Sequence, residues 1–83
     1  MFEYDPAKSL GNLEKHGIDF EQAQNLWLDE NRVIIKTLIS DESLFLLIAK
    51  YAEKHWTAVF TPREDKNRII SVRRSRSKKN SRL

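Results

Sequence analysis

Arg63, Arg68, Arg73 and Arg74 crowd into twelve positions near the end of the chain. Each guanidinium is a rigid fork of donors matched to the two oxygens of a phosphate. Their spacing is that of strands. Side chains alternate between faces along a strand, so in "NRIISVRR" Ile69, Ser71 and Arg73 share one face and Arg68, Ile70, Val72 and Arg74 the other. Taking Ile70 and Val72 as the core side puts Ser71 and Arg73 on an open face, with Ile69 out of pattern. In the preceding "HWTAVFTPR", Trp56, Ala58 and Phe60 make the better core set, so Arg63 joins His55, Thr57, Val59 and Thr61 on the open face. A hairpin around "EDKN" sets Arg63 and Arg68 near its tip and Arg73 lower on the same sheet. A lone surface arginine is usually solvated charge. A row of them on one sheet face is built to hold successive phosphates.

Other chemistry is sparsely represented. The chain lacks a Gly-rich phosphate loop, a histidine pair with metal-ligand spacing and a Ser-His-Asp signature, so no metal site and no cofactor are expected. His16 and His55 are the only histidines. His55 opens a strand and suits surface or turn hydrogen bonding. His16, beside Lys15, is either a satisfied structural histidine or an acid/base group. RNA can still be cut without a histidine pair. The 2′-hydroxyl is the nucleophile, and cations that position the chain and stabilise the pentavalent phosphate supply most of what the step needs.

Charge segregation points the same way. Residues 1–62 carry six Lys/Arg against ten Asp/Glu, while residues 63–83 carry nine against two. Such asymmetry makes a field that attracts polyanions. The 83 residues suffice for one small domain, 1–83, with 76–83 a basic flexible tail. There is no cysteine for disulfides or thiolate metal sites. No signal peptide is expected, and no apolar run approaches the roughly 20 residues that span a bilayer. A cytoplasmic protein without membrane contact is the expectation.

The elements that must position these residues are legible in part. "YDPAKSLGNLEKHG" sets Asp5 as N-cap, Pro6 at the first helical position and Gly17 as a left-handed C-cap. Leu10 and Leu13 form its inward stripe. Gly11 costs about 1 kcal/mol against Ala, and marks either a close backbone approach or a tolerated defect. "DFEQAQNLWLDEN" has Asp19 as N-cap and Gln22 three residues on, a capping-box variant. Helices over 6–16 and 20–28 follow, after "FEY" as a candidate short edge strand. "RVIIKTLI", "SLFLLIAKYA", "HWTAVFTPR" and "NRIISVRR" are four strands with short connections, hence an antiparallel meander. The second of these, with little alternation, reads as a central strand covered on both faces, although periodicity alone also allows a helix. The fold class is α+β: two helices on one face of a twisted antiparallel sheet of about four strands. Phe20, Leu26, Trp27, Trp56, Phe60, Ile70 and Val72 are the expected core. The sheet's other face is left for a partner or for function.

Two separated stretches resemble one family. "FEYDPAKSLGNLEKHGIDFEQA" is similar to the opening of BrnT toxins, with Phe2, Tyr4, Asp5, Lys8, Asn12, Lys15, His16, Gly17, Ile18, Phe20 and Ala23 in the pattern. "RIISVRRS" is similar to that family's closing strand. The resemblance implies a RelE-like fold and a ribonuclease toxin of a type II toxin-antitoxin system. It implies neutralisation by a BrnA-like antitoxin with a ribbon-helix-helix half, and operator DNA bound only through that complex. Catalytic duty would fall on Arg63, Arg73 and Arg74, with Lys15 and His16. RNA binding would fall on Arg68, Ser71, Arg76, Lys78 and Lys79.

Departures from the family pattern stand beside the matches. Glu42 is followed by Ser43 and Leu44 where the family often has an arginine two positions on. Ala49 stands where a glycine is common. The end, "SRSKKNSRL", replaces a short helix with a Glu and a Tyr. Two alternatives share the basic face: a noncatalytic nucleic-acid-binding module, and a protein-interaction domain whose sheet docks an acidic segment.

Overall fold

The structure, a computed structural model, describes residues 1–37 and 43–75. The tail 76–83, with Arg76, Lys78 and Lys79, lies outside the described residues, as do residues 38–42. Strand β1 (Phe2–Glu3) leads into helix α1 (Pro6–His16). Helix α2 (Phe20–Ala23) continues as a 3-10 turn over Gln24–Leu28. Strands β2 (Val33–Lys36), β3 (Phe45–Tyr51), β4 (Lys54–Arg63) and β5 (Lys66–Arg74) complete the chain. The sheet order is β1-β5-β4-β3-β2. All neighbours are antiparallel except β1, which runs parallel to β5. The sheet is therefore mixed and five-stranded, not antiparallel with four. The fifth strand is "FE", within the candidate edge strand "FEY", and its parallel pairing with β5 is what makes the sheet mixed.

The caps read from the sequence are in place. Asp5 accepts from the Ala7 N–H at 2.9 Å, with Pro6 starting α1. Gly17 (φ 83°) closes it, its N–H bound to the Leu13 carbonyl. Asp19 and Gln22 form a full capping box, at 2.7 and 3.0 Å.

The buried side of α1 departs from the expected one. Leu10 and Leu13 are 58% and 39% exposed, and Ser9 and Asn12 are buried instead. The reason is where α1 docks. It lies along the outer edge of β5, past the point where β1 stops, and meets backbone there. Asn12 Nδ2 donates to the Val72 carbonyl at 2.9 Å and to the Ile18 carbonyl at 2.8 Å. Its Oδ1 accepts from the Val72 N–H at 3.2 Å. One side-chain amide thus does for β5 what the next strand residue would do. Ser9 Oγ accepts from the Phe20 N–H at 2.9 Å and holds the start of α2.

The core is Ile18, Phe20, Ala23 and Leu26 from the helical layer, against Leu47, Ala49, Trp56, Ala58, Phe60, Ile69 and Val72 from the sheet. Trp56 closes its indole N–H on the Tyr51 carbonyl at 3.0 Å. Trp27 is only partly buried, edge-on to both Phe2 and Phe60 at 4.8 and 5.1 Å. Ile70 is half-buried rather than core. Between Val59 and Phe60 the register slips, so Ser71 pairs with Val59 but Ile69 with Phe60. This bulge on β5 puts both Ile69 and Val72 inward and resets the alternation. "SLFLLIAKY" does form an inner strand, but only one face is fully covered; Leu46 and Ile48 remain half-exposed. The β4–β5 turn is shorter than "EDKN", since Arg63 pairs with Lys66 and only Glu64 and Asp65 are left to turn.

A methyl at Gly11 meets nothing within 4 Å, which settles the choice above for a tolerated defect. Gly11→Ala is expected to stabilise the fold by about 0.5–1 kcal/mol. Asn12→Ala, which orphans three buried backbone groups, should cost about 3 kcal/mol or more. Denaturant melts check both signs.

Candidate nucleic-acid interface

The bulge decides which arginines meet. By register Arg68 faces the same side as Thr61, and Arg63 the same side as Lys66. Arg68, expected on the core side, is therefore on the open face with Arg63. Ser71 and Arg73 share that face, opposite Val59 and Thr57. Arg74 pairs with Trp56 and projects to the helical side.

Two groups of cations result. At the hairpin tip, Arg63 and Arg68 both reach Glu3 Oε2, at 3.5 and 3.3 Å. A cavity of about 430 Å³ lies there, lined by Glu3, Arg63, Glu64 and Lys66. At the other end stand Arg73 and Arg74, exposed, with no carboxylate within 4.0 Å among the described residues. Thr57 and Ser75 join their hydroxyls beside Arg73 at 2.7 Å. Arg63 and Arg73 lie six positions apart in β4 terms, about 20 Å at roughly 3.3 Å per residue. One phosphate does not touch both.

Helix α1 runs the same way as β5, from the β1 pairing at Asn67 and Arg68 to Asn12 at Val72. Lys15 and His16 follow within about one turn, roughly 5 Å, so they end α1 at the Arg73–Arg74 end of the sheet. Both are exposed. Lys15, His16, Arg73 and Arg74 thus share one end, and Arg63 shares the other with Arg68.

Glu3 was invisible to sequence reasoning. It precedes Arg68 by 65 positions, and only the parallel β1–β5 pairing joins them. Among the described residues no three His, Asp or Glu side chains come together as a metal site. No described helix is long and apolar enough to cross a membrane. One carboxyl is resolved as shifted. N–H donation from Asn31 at 2.9 Å and from Lys50 at 2.8 Å holds Asp29 below its ordinary value. That clamp ties the entry of β2 to the end of β3, away from the arginines.

Residues 4–79 match the family described as ribonuclease toxin, BrnT, of type II toxin-antitoxin system. The chain belongs to the BrnT family. A comparison with curated proteins finds no match. The BrnT match begins just after β1 and runs through β5, so it includes both groups of cations and the α1 edge contact.

The partly exposed pairs of Glu3 add modestly to stability, about 1 kcal/mol. A polyanion on this end must displace that carboxylate. Glu3→Gln should therefore tighten binding of a single-stranded RNA several-fold at low salt, measured by fluorescence anisotropy. Unchanged affinity would show that Arg63 and Arg68 do not meet the strand.

Proposed function

We propose that this BrnT chain is a RelE-like, metal-independent endoribonuclease that arrests growth in the cytoplasm until a BrnA-like antitoxin covers it. The observation that supports this most is the pair Arg73 and Arg74. They are exposed, uncompensated among the described residues, and held at the end of α1 that carries Lys15 and His16. Cations tied into structural pairs are poor phosphate ligands; these are not tied.

The reaction follows from the substrate. The 2′-oxygen attacks the adjacent phosphorus, loses its proton, and expels the 5′-oxygen of the next nucleotide, which takes a proton. The products are a 2′,3′-cyclic phosphate and a 5′-hydroxyl. Negative charge builds on the non-bridging oxygens, where Arg73 stabilises it from the open face, while Arg74, on the helical side of the same strand end, adds to the local positive field. His16, exposed at the same end, is the imidazole assigned to proton transfer. Arg63 and Arg68, about 20 Å away, act as binding residues for the flanking strand, with Ser71 between the two ends. The basic residues Arg76, Lys78 and Lys79 extend the attracting field. The antitoxin's ribbon-helix-helix half carries operator binding, and the toxin meets DNA only through that complex.

Arg73→Ala should abolish growth arrest on induced expression, with cleavage of purified RNA falling about 10²–10³-fold, while thermal melting stays within about 2 °C of wild type. Chelator should leave cleavage unchanged. Full toxicity of Arg73→Ala, or cleavage only with magnesium, would contradict the mechanism. RNA bound but never cut would favour the noncatalytic binding module.

A further inference from the structure

Strand β2 ends the sheet, and among the described residues nothing pairs with its outer edge. The Thr37 N–H bonds the Leu44 carbonyl at 2.9 Å, which sets the phase of the β2–β3 ladder. Hydrogen-bonded pairs alternate along antiparallel strands, so Val33 and Ile35 spend their backbone groups on β3. Ile34 and Lys36 point theirs outward. That edge is also apolar: Val33, Ile34 and Ile35 are 51%, 48% and 44% exposed. Natural sheet edges are usually blunted by proline, bulges or inward charges; here three β-branched residues in a row are left bare.

The apolar surface continues around the corner. Val33 lies beside Ile48 and Ile35 beside Leu46, and Leu46 beside Val59, all on the open face. Leu46, Ile48 and Val59 are half-exposed.

Charge selects the occupant. Arg32 and Lys36 bracket the apolar triplet, and β2 contains no acid. A second copy paired antiparallel about Ile34 would set Arg32 opposite Lys36 at both ends, a like-charge arrangement that destabilises cross-strand pairs. An extended segment with apolar residues at its centre and Asp or Glu at each end pairs both cations. It also takes up the free N–H and C=O groups and covers the triplet, as in strand addition.

We propose that such a segment of the antitoxin adds to β2 as a further strand; this rests on the toxin reading above. From that anchor the arginines of β5 are three strand spacings away across the open face, about 14 Å. A partner held at β2 thus reaches Arg73 without being anchored on the residues that hold RNA.

Hydrogen exchange on the unmodified toxin, alone and with its separately purified full-length antitoxin, tests this. The Ile34 and Lys36 amides should exchange freely in the toxin alone and become protected in the complex. A complex that leaves both amides unprotected overturns the proposal, whatever the toxin does to RNA. Ile34→Pro is the paired test, since it removes an outward N–H without touching a bond to β3. It should weaken the complex at least about 100-fold and leave a toxin that the antitoxin no longer silences. Unchanged affinity of a folded Ile34→Pro variant would overturn the proposal; should that variant not fold, the exchange result alone decides. A free toxin that sediments as a dimer through this edge would also overturn it. Cleavage and growth arrest do not enter the exchange readout, so a protein that cuts no RNA yet shows protection refutes the toxin mechanism and not the docking site.

Discussion

One side chain determines how the two layers meet. Asn12 gives β5 the hydrogen bonds of a missing strand, taking both the N–H and the C=O of Val72 while holding the Ile18 carbonyl. Buried backbone groups left unpaired cost as much as a lost hydrogen bond or more. Without Asn12, the outer edge of β5 and the turn after α1 would both be orphaned. Because the contact is polar, α1 sits beside the sheet with Leu10 and Leu13 outward. Ile18 and Phe20, directly after the turn, take the core position that those leucines do not. The same contact aligns α1 with β5, and so brings Lys15 and His16 to the end that carries Arg73 and Arg74.

The second constraint is the bulge on β5. It lets Ile69 and Val72 both face inward and turns Arg68 to the open face beside Arg63. There Glu3 meets both. The open face is thus divided along β5: a compensated pair of arginines at the tip, and Arg73, uncompensated among the described residues, at the other end, with Arg74 on the helical side. On the side of the sheet farthest from β5 the same face is apolar. A basic region and an apolar edge thus lie side by side on one face of a small sheet.

Much of this was legible in the residues. Capping signals at Asp5, Pro6, Gly17, Asp19 and Gln22 are local, and local rules place helix ends well. The strand set Trp56, Ala58 and Phe60 was readable because alternation in β4 is unbroken. Ile70 and Arg68 were misplaced because a bulge erases period two, and nothing in "RIISV" marks where the extra residue goes. Hydropathy alone makes Leu10 and Leu13 the inward stripe, because it does not register a helix that docks through an amide onto a strand edge. Glu3 at the arginines required the parallel β1–β5 pairing, a non-local contact without a sequence signature. The BrnT resemblance rested on the two stretches that hold the α1 contact and β5, and the match to the family spans residues 4–79.

The central claim is that the cations at the end of β5 assist attack by the RNA's own 2′-oxygen. It is tested most directly with a short RNA, first cut by the purified toxin at a mapped bond, and then remade with a single 2′-deoxynucleotide on the 5′ side of that bond. The mechanism predicts that the substituted strand binds with nearly the same affinity and is not cut there, while the all-RNA strand yields a 2′,3′-cyclic phosphate and a 5′-hydroxyl by mass spectrometry. Cleavage of the substituted strand at the same bond would contradict it.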